Sequence, residues 1–203
     1  VEVDYPPADD VGPEGRYHYP SDPAYSVQRP LDIEHLRVQG AEGALKITLQ
    51  MHDIVSAWNS ANGFDHVAFV VFLQIPGKDG GTAYMPFQNA ELPDGMRWNY
   101  RLRTHGWTNA LFSSDGASAT QEGTPVTPAA HIDADPIAKT VTLTLPASAL
   151  GGLTSLSGVK LYVATWDYDG GFRKLAPDLS TNNFSGGDGQ ADPASESFGD
   201  GGG

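Results

Sequence analysis

The chain has no cysteine, few basic residues and no apolar run long enough to cross a bilayer. Without cysteine there is no disulfide, no thiolate nucleophile and no Cys-ligated zinc or iron–sulfur centre. Twelve Lys and Arg stand against 25 Asp and Glu in 203 residues, a formal net charge of −13. That surplus is repelled by nucleic acid and by anionic membrane surfaces. The longest strongly apolar stretch, Val67 to Ile75, is far short of the ~20 residues a helical span needs. Catalytic signatures are also missing. The six histidines form neither HExxH nor an H-x-H pair, and no G-x-S-x-G elbow, phosphate loop or dinucleotide fingerprint occurs. Val1 is followed by Glu, Asp and Pro with no apolar leader, so a processed or excised piece of a longer protein is expected.

Glycine and proline are abundant, 24 and 15 residues. This composition suits short strands joined by turns. Residues 1–31 carry Pro or Gly at nearly every turn, interleaved with Tyr5, Tyr17, Tyr19 and Tyr25. Proline opposes regular structure, and tyrosines at this density pack on something. The segment therefore reads as an ordered but irregular arm, with Asp22-Pro23 extended within it. From Asp32 the pattern alternates. Ile33–Val38 and Ala44–Leu49 read as a hairpin, and His66–Ile75 as a strand buried on both faces. Trp98–Arg103 pairs with Thr108–Phe112, Ala130–Ala134 with Thr140–Leu145, and Val159–Trp166 forms the last strand. Pro146–Leu150 is the one short helical candidate. The expected fold is all-β, an antiparallel β-sandwich over residues 32–184, preceded by the arm 1–31 and followed by a Gly-rich acidic tail, 185–203.

The charge is concentrated at the ends. Residues 1–35 hold eight acids and two bases, and residues 166–203 seven acids and two bases. If the ends meet, a bound cation is one way to offset their repulsion; if they stay apart, none is needed. Asp9-Asp10 and Asp167-Tyr168-Asp169-Gly170 supply carboxylates with a turn glycine, the donor type calcium takes. The same residues also make ordinary turns. Aromatics near loops or strand ends form a second candidate site: Trp58, Tyr84, Trp98 and Trp107, with Asn109 and Arg101 as polar neighbours. Flat rings stack on the C–H face of a sugar while amides and guanidinium groups pair with its hydroxyls. Each Trp is equally at home in a sandwich core. Asp133 and Asp135 share a strand face, but Asp135-Pro136 reads as a turn rather than half of a glycosidase pair. Met51 and His131 are a remote candidate pair for haem.

These residues resemble a family. Asp9-Asp10-Val11-Gly12-Pro13, then Tyr17-His18-Tyr19-Pro20-Ser21-Asp22-Pro23 and Leu31-Asp32-Ile33, resemble the opening of the glucodextranase-like C-terminal domain. Trp58 with Asn62-Gly63-Phe64, Trp98 with Tyr100, and Gly106-Trp107 fit its middle. Trp166-Asp167, Asp169-Gly170, Arg173, Asn183-Phe184 and Gly186-Gly187 fit its close. The chain departs from the pattern at Glu14 and at Ala57-Trp58-Asn59. The resemblance implies the sandwich of family-nine carbohydrate-binding modules and DOMON-type domains. It implies a non-catalytic accessory module of an extracellular bacterial glucan-processing enzyme, secreted, periplasmic or at the cell surface, with the parent glycoside hydrolase domains and an α-glucan as partners. It also implies structural calcium at the Asp9-Asp10 arm. The alternatives are a surface-anchoring or interdomain module, marked by an exposed patch of Tyr17, Tyr19 and Tyr25, and, more remotely, a haem electron-transfer domain.

Overall fold

The computed structural model describes residues 1–11, 15, 17–41, 43–88, 90–168, 172, 180 and 181. In chain order the elements are β1 (Glu2–Asp4), α1 (Pro23–Ser26), β2 (Ile33–Ala41), β3 (Ala44–Met51), β4 (Val67–Gln74), β5 (Tyr84–Met85) and β6 (Ala90–Glu91). There follow β7 (Tyr100–His105), β8 (Thr108–Ser113), β9 (Thr124–Val126), β10 (His131–Asp135), β11 (Thr140–Pro146), a 3-10 turn (Ala147–Leu150) and β12 (Lys160–Asp167). One sheet has the order β1-β2-β3-β11-β10 and the other β12-β4-β7-β8-β9, with all neighbours antiparallel; β5 and β6 form a small ribbon.

Alternation builds the core. Leu45, Ile47 and Leu49 of β3 lie opposite Leu145, Leu143 and Val141 of β11 and point inward with them. They meet Phe69, Val71 and Leu73 of β4 and Leu102 of β7. Each fully buried aliphatic side chain contributes ~1.5–3 kcal/mol. β4 is apolar and buried from Val67 to Leu73 because both its faces are covered. Its odd-numbered residues face the sandwich, while Ala68, Val70 and Phe72 face outward under Met85, Leu92, Met96 and Trp98. The segment between β4 and β7 thus acts as a lid over the second sheet.

The arm is more regular than its proline content predicts. β1 adds an edge strand to β2, with Glu2 opposite Arg37 and Asp4 opposite His35. Asp22-Pro23 is not extended chain but a helix start. The Asp22 carboxylate accepts from Ala24 N at 2.9 Å, and Pro23 sits where a missing N–H costs nothing. α1 then buries Tyr25 completely.

Asp135 closes a turn, accepting from Ile137 N and Ala138 N at 2.9 Å each. The haem pair is excluded by register. Met51 is buried in the core, whereas His131 is exposed on the edge strand and aligned with Lys46 through Thr144. The two lie roughly 17 Å apart along the strands.

Candidate functional site

Two of the sequence-selected tryptophans meet on one exposed corner. Trp58 lies in the loop between β3 and β4, and Trp107 in the tight turn between β7 and β8. Their rings are near parallel, 23° apart in plane with centroids 6.3 Å apart. They are 37% and 54% exposed, large apolar faces left open to solvent.

This corner is held rigidly. Asn62 donates its amide N–H groups to His105 O at 2.6 Å and Thr108 O at 3.1 Å, and its backbone N–H goes to Gly106 O at 2.9 Å. The Trp58 loop is thereby fastened to the Trp107 turn. The approach is so close that a Cβ on Gly106 would stand 2.7 Å from Ser60 Cβ and 2.8 Å from Phe64 O. Glycine is required there by contact, not by backbone angle.

Beneath Trp58, Asp65 is buried and accepts from Trp58 N at 2.7 Å and Ala57 N at 3.2 Å. His66 donates through Nδ1 to the same carboxylate and stacks under Trp58, with centroids 3.9 Å apart and planes 22° apart. His66 holds a left-handed backbone, φ +68°, which a non-glycine residue keeps only when its surroundings fix it. Sequence reading placed His66 merely at the start of a strand. Nothing in the residue order signals its φ or its place under the tryptophan.

The other proposed stacking and pairing groups do not join this corner. Trp98 is fully buried against Phe72, with its indole N–H on Tyr84 O at 2.7 Å, and is a core residue. Tyr84 is 45% exposed but lies with Trp98 at the far end of β7, roughly 17 Å or more from Trp107. Arg101 is fully buried and ion-paired with Glu122 on the outer face of the second sheet, where burial pulls its pKa down to about 10. Asn109 is exposed on β8, two residues beyond Trp107, but its amide already donates to Ala130 O.

The arm and the last strand do meet. Tyr17 donates to Asp167 at 3.2 Å, and Tyr25 to Tyr168 O at 3.3 Å. Tyr19 donates to Asp10, which is also ion-paired with Arg29. Burial pushes the Tyr19 hydroxyl well above its ordinary range, helped by nearby Tyr17, Asp32 and Asp167. Asp32 is buried here as well. One of its oxygens accepts from Ala8 N at 3.1 Å, and the other has no partner among the described residues. Asp9 is exposed, and Asp169 lies outside the described residues. Among the described residues, no three acidic or histidine side chains converge as metal ligands. The first counter-ion at this junction is therefore a protein cation, Arg29, which sequence reading did not select.

A two-sheet sandwich with an open aromatic pair on a braced corner has the build of a binding module. The family model of the SLH-like C-terminal binding module of glucodextranase matches residues 1–197, and the chain belongs to that family. No curated protein matches the chain. No helix among the described residues is long and apolar enough to cross a membrane.

Proposed function

We propose that this chain is a non-catalytic carbohydrate-binding module of an extracellular bacterial glucan-processing enzyme, and that it takes α-glucan chains on the Trp58–Trp107 corner. The observation that carries the reading is the exposed pair of near-parallel indoles, 6.3 Å apart on a preset scaffold. A pair that is already ordered needs little rearrangement, so contact area is not offset by the cost of ordering the site. An open corner suits the flank of a long chain better than an enclosed end group. The family description, a binding module of glucodextranase, supports a glucan as the ligand and a location outside the cell with the parent hydrolase.

The test is retention on insoluble dextran and starch, with calorimetric titration of isomalto- and malto-oligosaccharides. The Trp58→Ala/Trp107→Ala double variant should lose retention while remaining folded. Equal retention by the variant would refute the corner as the site. Anchoring through the tyrosine arm is the weaker reading, because Tyr25 is fully buried and Tyr17 and Tyr19 pack against the core instead of forming an open patch.

A structural calcium ion at the arm belongs to the same proposal. Asp10, Asp32 and Asp167 have little or no side-chain exposure; Arg29 pairs with Asp10 and lies beside Asp32, and Asp167 accepts from Tyr17 of the same arm. The Asp32 oxygen that has no partner among the described residues is a hard donor of the kind calcium takes. Asp10 and Asp32 would supply the first donors to the ion, with Asp9, Asp167 and Asp169 as the further sequence candidates. Its chemistry would be charge neutralisation that fastens the arm to β12. Added calcium should raise the melting temperature and a chelator lower it, with the response lost in Asp32→Asn.

A further inference from the structure

The arm places a buried ring behind the tryptophan corner. Tyr25 of α1 is fully buried, yet it stands outside both apolar clusters of the sandwich. Its neighbours are groups that brace the corner. Its ring meets His66, with centroids 4.7 Å apart and planes 60° apart, and His66 is the ring on which Trp58 stacks. The Tyr25 hydroxyl donates to Tyr168 O at 3.3 Å, and Tyr168 N donates to His66 O at 3.3 Å. The Tyr168 ring stacks on His105 with centroids 4.0 Å apart. His105 leads into the Trp107 turn: its carbonyl accepts from the Asn62 amide, and its Nδ1 accepts from Trp107 N at 3.5 Å. Two short chains of contact therefore run from one arm residue to the two indoles. One passes through His66 to Trp58, the other through Tyr168 and His105 to Trp107.

The members of these chains are fixed. α1 is capped by Asp22 and closed by Arg29 N on Tyr25 O at 2.9 Å. The arm is fastened to β12 on either side of Tyr25, by Tyr17 on Asp167 and by Thr165 Oγ1 donating to Leu31 O at 2.8 Å. His66 keeps its φ of +68° under this packing, a conformation that a residue with a Cβ holds where its neighbours over-determine it. Withdrawing the Tyr25 ring removes one of those neighbours and leaves space beside His66, into which His66 and then Trp58 can turn. Two indoles held 23° apart in plane present one surface to a ligand; indoles free to turn must be ordered by the ligand, at a cost in affinity.

We infer that Tyr25 is a positioning residue for the tryptophan corner, so that docking of the arm sets the corner's affinity for an oligosaccharide. The inference rests on the reading of that corner as the sugar site, and adds to it a control by the arm. Docking of the arm and binding at the corner favour each other by the same factor in both directions.

The test is calorimetric titration of maltotriose and isomaltotriose into the full chain and into its Tyr25→Phe and Tyr25→Leu variants, with the indole N–H signals followed by NMR. Phenylalanine keeps the ring and loses one hydroxyl, whereas leucine loses the ring. Tyr25→Phe should bind within about threefold of the unaltered chain, and Tyr25→Leu about tenfold more weakly. In sugar-free Tyr25→Leu the Trp58 and Trp107 signals should be displaced while that of Trp98, in the core, stays in place. A folded Tyr25→Leu that binds as tightly as the unaltered chain would overturn the inference and leave the corner standing. If Tyr25→Leu does not fold, hydrogen exchange of the Tyr25, Ser26 and Arg29 amides in the unaltered chain decides. A tenfold difference in affinity between docked and undocked arm slows their exchange about fivefold at about ten times Kd. The Ala147 amide, bonded to Gly43 O beyond the far end of β11, is the control. Arm amides that slow no more than this control overturn the inference. An unaltered chain that binds neither sugar overturns the corner reading and this inference with it.

Discussion

Replacing Trp107 by alanine separates binding from stability. A tryptophan carries up to ~250 Å² of surface, and 54% of this one is open. A sugar ring that covers half of that open face buries ~70 Å², worth ~1.8 kcal/mol at ~25 cal/mol per Å², or about 20-fold in Kd. The underside of the ring is packed, so folding should lose ~1–2 kcal/mol, a shift of only a few degrees in Tm for a chain of this size. Trp98→Ala should do the reverse. Its side chain is wholly buried, and its loss should cost ~3–5 kcal/mol of stability, about 6–20 degrees in Tm, without touching a ligand contact. Isothermal titration with isomalto- and malto-oligosaccharides, beside thermal melts of both variants, reads the two effects separately. An unchanged Kd for Trp107→Ala, or a Trp98→Ala protein that melts normally but no longer binds, would refute the reasoning.

Further expectations follow from the same geometry. Gly106→Ala should weaken oligosaccharide binding and lower Tm together, because its Cβ would push the Trp58 loop off the Trp107 turn; a variant with both unchanged would show that the contact is slack. Gly123→Ala should be severely destabilising, since φ is +105° and the added Cβ would stand 2.1 Å from Ser113 O, and equilibrium urea unfolding measures the loss. His105 is held down to about pKa 4, first by burial and then by Arg103. The folded state therefore binds fewer protons than the unfolded chain between about pH 4 and 6.5. Stability should rise with pH across that window, and His105→Gln should flatten the profile of Tm against pH. Asp32→Asn should abolish any calcium-dependent gain in Tm; a full gain retained in that variant would place the ion elsewhere.

The sheets were legible because alternation is local. Leu45, Ile47 and Leu49 announce a one-sided strand, and the unbroken run through Val67–Leu73 announces a two-sided one. The short pieces were not. β5, β6 and β9 have two or three residues each and are set by pairing and lid packing, not by a pattern of their own. Asp22-Pro23 has the residue types of a helix start, but it stands in a stretch whose prolines oppose regular structure. At the site, sequence supplied the residue types but could not sort exposed from buried. Trp58 and Trp107 reached the surface while Trp98 and Arg101 went under the lid, a division made by strand parity and by the segment that covers one face. The roles of Asn62, Asp65 and His66 depend on contacts between loops more than forty residues apart or on a local left-handed turn, and neither leaves a periodic trace.

The chain has four tryptophans, hence four indole N–H signals to follow as a glucan oligosaccharide is added. Titration of isomaltotriose and maltotriose into the labelled protein tests the central claim most directly. The account predicts that the Trp58 and Trp107 signals shift together along one saturation curve while the Trp98 signal, hydrogen-bonded to Tyr84 O inside the core, stays in place. Trp58 and Trp107 signals that stay still with both sugars, or a shift confined to Trp98, would contradict it.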